Sequence, residues 1–199
     1  MTWSRRRLLN AGGALAAVSA AALLGGTARS RGLAAHQSAA ARDQAANAAT
    51  ASKRVVLSNL HTGERLDIEY SRGGTYVPDA FAAIEVVLRD FRTGERHAMD
   101  PALMDYLVEV AGSVGVEASF SVISGYRSPQ TNAQLRERST GVAQHSLHME
   151  GRAIDVRIKG VDCANLAAHA LDLKRGGVGY YRASDFVHLD TGAFRTWKG

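Results

Sequence analysis

The chain has 199 residues, of which 46% are hydrophobic and 22% are charged, with 20 glycines and a single cysteine. These values exclude a wholly disordered or collagen-like chain, and one cysteine can form neither an internal disulfide nor a cysteine-rich zinc site. The formal net charge of +5 would favour a nucleic-acid-binding protein only if it were spread over a folded surface.

The first 28 residues have the organisation of an export signal. Three arginines at positions 5–7 precede an apolar stretch over residues 11–24, and small residues at 26–28 suit a signal peptidase. A membrane-spanning helix needs ~20 apolar residues, so we do not expect this shorter stretch to be a permanent anchor. The run SRRRLL at 4–9 resembles a twin-arginine signal, which predicts a periplasmic protein that meets the membrane only during export. Without residues 1–28, 21 basic and 19 acidic residues remain, and a charge of +2 no longer favours nucleic acid.

The folded domain is predicted to span residues 55–199. Residues 29–54 are rich in Ala, Gln, Asn and Ser and contain Leu33 as their only large apolar residue. Such a segment buries too little apolar surface to offset the entropy of ordering it, so we expect a linker. Residues 55–199 match the size of a domain with a single hydrophobic core, and a monomer is expected.

Patterns of apolar residues predict an α+β domain. Strands are expected at 55–60, 65–70, 118–123, 153–158, 178–181 and 186–189. Helices are expected at 79–92, from Asp100-Pro101 up to the glycines at 112 and 115, from Ser128-Pro129 to 137, and at 162–174. The order of these elements predicts a small, largely antiparallel sheet covered by helices.

Two of these strands place polar groups opposite their apolar neighbours. Every second residue of 153–158 is Ile or Val, which puts Asp155 on the other face of that strand. The same alternation puts His188 and Asp190 together on one side of the last strand. An acid and a histidine can therefore meet over one face of the sheet.

A third ligand can come from the loop that precedes the strand at 153–158. His148 lies in this loop, which Gly151 can turn, and with Asp155 and His188 it could form a three-ligand zinc site open to water. Spacing alone also allows a structural role, because isolated histidines and acids in proteins are more often structural. The histidines at 36, 61, 97 and 169 lie in the linker, a turn, a charged loop and a helix flank, and we expect no ligand role for them.

Spaced motifs strengthen the zinc prediction by resemblance. The pattern Ser-x-His-x-x-Gly-x-Ala-x-Asp at 146–155, followed by Val-His at 187–188, resembles the zinc signature of the lysostaphin, D-alanyl-D-alanine peptidase and hedgehog superfamily. More closely, the domain resembles the murein endopeptidase K group of exported cell-wall hydrolases. The segments that resemble this group are 61–64, 88–90, 124–129 (SGYRSP), 146–155, 177–181 and 186–192.

The resemblance implies a fold, a cofactor and roles for four residues. The expected fold is that of the hedgehog and D-alanyl-D-alanine peptidases, with Zn²⁺ held by His148, Asp155 and His188. The matching arginine of the D-alanyl-D-alanine peptidases helps to stabilise the developing oxyanion, which implies this role for Arg127. A solvated loop arginine or a clamp for a substrate carboxylate are the alternatives.

The general base is not fixed by the motifs. In the dipeptidase branch a glutamate lies three residues before the last histidine, and that position here is Asp185, which is one methylene shorter. Asp185 is the first candidate. Asp190 could instead orient His188 from outside the ligand set, and His145 is a third candidate whose ordinary pKa suits a base.

The compartment and the resemblance together predict the substrate. We expect hydrolysis of peptide cross-links in peptidoglycan, first D-alanyl to meso-diaminopimelate bonds and also L,D cross-links, during growth of the cell wall. The alternatives are a D,D-carboxypeptidase and a zinc-stabilised cell-wall-binding module without activity. Tyr126, Tyr180 and Tyr181 could line a peptide groove or simply pack, and Cys163 is expected in the core.

Overall fold

A computed structural model describes residues 52–139 and 141–199 of the chain. The predicted export signal at 1–28 and the linker up to residue 51 lie outside the described residues, and both stay predictions. The first strand begins at Lys53, slightly before the predicted domain start at residue 55. Within the described part of the chain, no helix is both long and apolar enough to cross a membrane.

The elements follow the predicted order. They are β1 (Lys53–Asn59), β2 (Arg65–Arg72), β3 (Thr75–Tyr76), α1 (Pro78–Val87), α2 (Pro101–Val114), β4 (Ser119–Ser124), α3 (Pro129–Arg138), a 3₁₀ turn (Leu147–Glu150), β5 (Ala153–Arg157), α4 (Cys163–Leu173), β6 (Gly177–Tyr181), β7 (Phe186–Asp190) and β8 (Arg195–Lys198). The sequence patterns missed β3, the 3₁₀ turn and β8. Each of the three is too short to show a hydrophobic period.

The strands form one eight-stranded sheet in the order β3-β2-β1-β4-β5-β7-β6-β8. β1 pairs with β4 and β6 pairs with β8 in parallel, and the other neighbours are antiparallel. The α+β class is confirmed, but the sheet is larger than predicted and is not purely antiparallel. β1 and β4 can run parallel because β2, β3, α1 and α2 connect them in a long crossover.

Helix ends form where the sequence places capping groups. Asp100, Ser128 and Asp162 each accept a backbone N–H in the first turn of α2, α3 and α4. α2 continues through Gly112 and ends at Gly115, whose φ of 83° lies in the left-handed region that favours glycine. These caps fix where the connecting loops begin.

α1 is shorter than the predicted helix at 79–92 and ends at Val87. Asn59 Nδ2 donates to the Val87 carbonyl at 2.8 Å and satisfies one of the free carbonyls at this helix end. The buried carboxylate of Asp90 then accepts the Arg92 N–H at 3.0 Å and turns the chain. A local polar turn therefore replaces the last helical turn that the apolar spacing predicted.

The hydrophobic core lies between the helices and one face of the sheet. Apolar side chains that alternate along β5 and β7 enter this core, and burying each large one stabilises the fold by about 1.5–3 kcal/mol. The largest fully buried residues are Tyr70, Tyr106, Phe120, Leu57, Ile84, Leu88, Leu103, Met104, Leu107, Ile154, Leu166 and Leu189. The alternation leaves Asp155 and His188 on the opposite face of β5 and β7, as predicted.

Candidate metal centre

Strand register brings two of the predicted ligands side by side. Asp155 on β5 lies directly opposite His188 on β7, and Ser124 on β4 lies opposite Asp155 on the other side. Directly opposite residues of antiparallel strands project their side chains on the same face. The acid and the histidine that sequence alternation placed on one face are thus neighbours in one row across the sheet.

The third predicted ligand reaches this row from the 3₁₀ turn before β5. Gly151 ends that turn with a φ of 67°, and a Cβ there would overlap the carbonyl of Ala98, so both conformation and space require glycine. His148 is held at 2% exposure by this turn. The loop turned by Gly151 therefore delivers His148 as the sequence predicted.

The three side chains form a compact ligand set. One donor atom from each of His148, Asp155 and His188 lies within 4.8 Å of the others. Asp155 Oδ1 is 2.9 Å from His188 Nδ1 and 3.3 Å from His148 Nε2, and the two nitrogens are 3.2 Å apart. All three side chains are buried and face a shared point above the sheet.

The outward nitrogen of each histidine is held by an acceptor. His148 Nδ1–H donates to the Gly125 carbonyl at 2.7 Å, and His188 Nε2–H donates to Asp190 Oδ2 at 3.0 Å. These bonds place the proton of each neutral ring outside the site and leave His148 Nε2 and His188 Nδ1 free to bind a cation. Two imidazoles and one carboxylate with this orientation fit Zn²⁺ with a position left for water or substrate.

The carboxylate of Asp190 is held by several groups in addition to His188. Its carboxylate is fully buried and accepts two N–H groups from Arg195, at 3.0 and 2.6 Å. The backbone N–H groups of Gly177 and Gly192 also donate to it. Burial alone would raise the pKa of Asp190, but the hydrogen bonds from His188 and Arg195 hold that pKa far below its usual range.

Electrostatics at the ligand set favour the metal-binding forms of two side chains. Burial lowers the pKa of His148, because the neutral imidazole is easier to desolvate than the imidazolium. Burial would raise the pKa of Asp155, but its charge and hydrogen-bond interactions with His148 and His188 outweigh this and keep that pKa far below its usual range.

His188 behaves differently from His148. Its burial is outweighed by hydrogen bonds to Asp155 and Asp190, which raise the pKa of His188 to about 9. The inward nitrogen must lose its proton before it can bind a cation, so metal binding here would release a proton and would weaken as the pH falls.

Arg127 lies beside the ligand set. Its Nη2 is 3.7 Å from Asp155 Oδ2, and its Nη1 donates to Asn132 Oδ1 at 3.4 Å. The side chain is 12% exposed, and its buried Nε–H has no partner within the described residues. Burial lowers the pKa of Arg127, although Asp155 opposes this effect. A buried guanidinium with a free N–H can donate a hydrogen bond to a negatively charged or carbonyl oxygen of a ligand.

The ligand set opens into a cleft of about 400 Å³. The cleft is lined by Arg127, Ser139, Gly141, Val142, Ala143, His145, Ser146, Leu147, His148, Asp155, Tyr181, Phe186, His188, Arg195 and Trp197. Tyr181 is in this lining, whereas Tyr126 and Tyr180 are not. Tyr126 is buried and stacks on His97, and Tyr180 packs against the core.

Comparison with known proteins identifies the family. Residues 47–197 match the family described as Peptidoglycan L,D-endopeptidase MepK. The chain belongs to this family. A relative from Escherichia coli (strain K12), named Peptidoglycan L,D-endopeptidase MepK, is 43% identical over 143 residues, which are 72% of this chain and 79% of the relative. A relative from Haemophilus influenzae, named Probable peptidoglycan L,D-endopeptidase MepK, is 44% identical over 142 residues, which are 71% of this chain and 76% of the relative. No solved structure matches the chain significantly.

Membership of this endopeptidase family confirms the predicted resemblance and makes the chain a hydrolytic peptidase. The three candidates for the general base occupy different positions around the cleft. His145 lines the cleft from the loop that follows α3, and Asp190 is enclosed by its own hydrogen bonds behind His188. Asp185 is not in the lining. Its side chain is 66% exposed and pairs with Arg157 Nη1 at 3.2 Å.

The last strand contributes two cleft residues that no sequence pattern indicated. Arg195 and Trp197 lie on β8, a four-residue edge strand that no period revealed. The alternating glycines of β6 could have indicated that other residues approach this strand closely. A Cβ at Gly177 would meet Asp190 and Arg195, and a Cβ at Gly179 would lie 2.5 Å from the indole of Trp197. Alternating glycines in a strand indicate close approach of other groups, in this case on the cleft face.

Proposed function

We propose that the chain is a zinc-dependent murein endopeptidase that hydrolyses peptide cross-links in peptidoglycan. The observation that carries this proposal is the open, buried set of His148, Asp155 and His188 in a member of a peptidoglycan endopeptidase family. The names of the relatives favour L,D cross-links as the first substrate, ahead of the D-alanyl to meso-diaminopimelate bonds. Membership of this family also favours the fold of the superfamily that contains hedgehog and the D-alanyl-D-alanine peptidases.

His148, Asp155 and His188 would hold the zinc ion. A zinc ion held there would supply a Lewis acid that polarises the scissile carbonyl and lowers the pKa of a bound water. Groups outside the ligand set fix its orientation. Gly125 and Asp190 accept the N–H groups of His148 and His188 that point away from the site, and the neighbouring strands β4 and β7 orient Asp155. A fixed ligand set reduces the reorganisation that the reaction requires.

Arg127 would stabilise the oxygen of the scissile carbonyl as negative charge develops on it. Support comes from its place in the cleft, from its buried charge beside Asp155, and from its Nε–H, which has no partner among residues 52–139 and 141–199. Hydrogen bonds from a charged donor in a partly dry site are among the strong ones. Asn132 Oδ1 accepts from Nη1 of this guanidinium, whereas Nη2 is the nitrogen near Asp155.

We infer that His145 acts as the general base. Among the described residues that line the cleft, Asp155 is the only acid, and it belongs to the ligand set. Asp185 forms an ion pair with Arg157 outside the lining, and Asp190 is fully hydrogen-bonded. His145→Ala should keep zinc and lower kcat by about 10²–10⁴-fold, whereas Asp185→Ala should keep both zinc and activity. The reverse result would return the role to Asp185.

We propose that the protein is located in the periplasm and is a monomer. A twin-arginine signal would direct its export. The family membership supports action on the cell wall, and residues 4–9 supply the signal pattern. Replacing Arg5 and Arg6 by lysines should block export, while replacing Arg7 alone should not. Fractionation of cells into cytoplasm and periplasm measures this outcome, and export of the double variant would contradict the proposed route.

Defined muropeptides test the proposed reaction. The zinc-loaded protein should cleave an L,D-cross-linked dimer into monomers faster than a D-alanyl to meso-diaminopimelate dimer, as measured by mass spectrometry. Release of terminal D-alanine from monomers, with dimers left intact, would show a D,D-carboxypeptidase. Binding of dimers without cleavage would show a zinc-stabilised binding module.

A further inference from the structure

One row of the sheet continues from the ligand set to a half-buried tryptophan. Gly179 on β6 pairs with His188 on β7, and Trp197 on β8 pairs with Gly179 on the other side. Because Gly179 has no side chain, the indole of Trp197 lies over its Cα and reaches the neighbouring strand. The centroids of the His188 and Trp197 rings are 5.1 Å apart. An edge strand therefore places an aromatic ring next to a predicted zinc ligand.

Two further rings continue the surface of this indole. Trp197 Nε1–H donates to the Tyr181 hydroxyl at 2.9 Å, which fixes the rotation of the indole. Tyr181 stacks on Phe186 with centroids 4.5 Å apart and an interplanar angle of 17°. We call these three rings, Trp197, Tyr181 and Phe186, the aromatic wall.

The aromatic wall is not part of the hydrophobic core. Its three residues are half-buried, they line the cleft, and none of them belongs to the core cluster. The core side chains of β6 and β7 are Val178, Val187 and Leu189, which face the helices from the opposite side of the sheet. Rings that are left half-exposed beside a reaction centre are available to a ligand.

We propose that the aromatic wall is a substrate-binding surface that holds the methylene chain of the diamino acid at the cross-link. This inference rests on the proposed function. When the scissile amide lies at the ligand set, the residue that bears it is within one residue length, about 3.3–3.6 Å, of that point. The Trp197 and His188 ring centroids are 5.1 Å apart, which is less than two residue lengths, so a side chain of several methylene groups that leaves the amide toward β8 reaches the wall.

The chemistry of the wall fits an aliphatic chain better than a charged group. Flat aromatic faces bury methylene groups without needing hydrogen-bond partners. The nearby cation, Arg195, lies 5.1 Å from the centre of the Trp197 ring, and its charge is neutralised by Asp190. The wall would thus set the position of the substrate along the cleft and leave the chemical step to the ligand set and its neighbours.

Fluorescence can test binding separately from cleavage. The chain has two tryptophans, Trp3 and Trp197, so a full-length Trp3→Phe variant reports on the wall alone. Adding an L,D-cross-linked muropeptide dimer to this variant, with zinc removed by a chelator, should change the emission of Trp197 saturably. The same titration with a peptide dimer whose cross-link carries no methylene chain should give a weaker response.

Kinetics of the zinc-loaded protein give the second measurement. Losing contact with about two methylene groups corresponds to about a tenfold rise in KM, and kcat should change less than threefold. Trp197→Leu should show this effect, and Gly179→Ala should reproduce it with the tryptophan present, because the added Cβ displaces the indole. Trp197→Phe should show a smaller rise. The matched control is Phe194→Ala, which removes a 51% exposed ring outside the cleft lining and should change nothing.

Each outcome of these two measurements decides the proposal. An unchanged KM for both Trp197→Leu and Gly179→Ala overturns it while the cleavage reaction stands. Loss of zinc affinity in both Trp197 variants also overturns it, since the ring would then only support His188. If wild-type protein cleaves no dimer but the Trp197 signal saturates, the wall is a binding surface and only the proposed reaction fails. If wild-type protein cleaves no dimer and the Trp197 emission does not change, both the proposed reaction and the proposed binding surface are overturned.

Discussion

Asp190 illustrates how single residues outside the ligand set control the centre. Its carboxylate is fully buried, accepts the His188 Nε2–H, and is held by Arg195 and two backbone N–H groups. Only a rigidly held acceptor can fix both the tautomer and the rotation of His188. Such outer partners commonly contribute 10–100-fold to metal affinity.

Asp190→Asn should therefore weaken zinc binding by about 10–100-fold, with a smaller loss of stability. The amide is a weaker acceptor, and its NH₂ group would face the donors of Arg195. Competition with a chromogenic chelator measures the zinc affinity. Asp172→Asn, at an exposed position of α4, is the control, and an equal affinity for both variants would contradict the role of Asp190.

At the scale of elements, glycines decide how closely segments approach the site. Gly125 follows β4, and its carbonyl accepts from His148 while the residue packs on Leu88. An added Cβ would lie 2.5 Å from the Leu88 carbonyl oxygen. Gly112, inside α2, has nothing within 4 Å of such a Cβ.

Alanine at these two glycines should have opposite effects. Gly112→Ala should stabilise the fold by about 0.5–1 kcal/mol, because it removes backbone freedom from the unfolded chain without a clash. Gly125→Ala should destabilise it by about 1–3 kcal/mol and weaken zinc binding, because β4 or Leu88 must shift. Urea denaturation gives both values. Equal effects would contradict the close approach at Gly125.

Elements also show what sequence patterns can and cannot supply. Alternation along β5 and β7 was enough to put Asp155 and His188 on one face, and the capping residues Asp100 and Ser128 marked two helix starts. Alternation does not state which strands are neighbours, so the direct pairing of Asp155 with His188 came from the resemblance and the fold. Trp197 was missed because β8 is an edge strand of four residues, of which only one is half-buried. Such a strand shows no alternation of apolar and polar residues.

At the scale of the whole molecule, Asp90 joins the turn after α1 to the start of α3. Its buried carboxylate accepts from Ser128 N at 2.9 Å, from Ser128 Oγ at 2.8 Å, and from Arg92 N. Burial would raise the pKa of Asp90, but its hydrogen bonds, from Thr131 and Ser128 above all, outweigh this and lower that pKa. Ser128 directly follows Arg127, so this joint also fixes the cleft.

The sign of this pKa shift predicts an acid-sensitive fold. A group whose folded pKa is lowered stabilises the protein above its unfolded pKa, about 3.9 for Asp, and loses that contribution as the pH falls further. Asp90→Asn should be less stable than wild type at pH 7, and the gap should narrow below about pH 4. Urea denaturation across this pH range measures the gap. A gap that is constant with pH would contradict the role of the ionised carboxylate.

The whole molecule is proposed to be an exported enzyme whose activity depends on a single zinc ion. The most direct test is digestion of purified sacculi by protein stripped of metal and titrated with zinc, with released fragments identified by mass. We expect cleavage at peptide cross-links that rises to a plateau at one zinc per chain and is absent from His188→Ala at every zinc concentration. Release of the same fragments by the stripped protein or by His188→Ala, or intact sacculi at full zinc loading, would contradict the account.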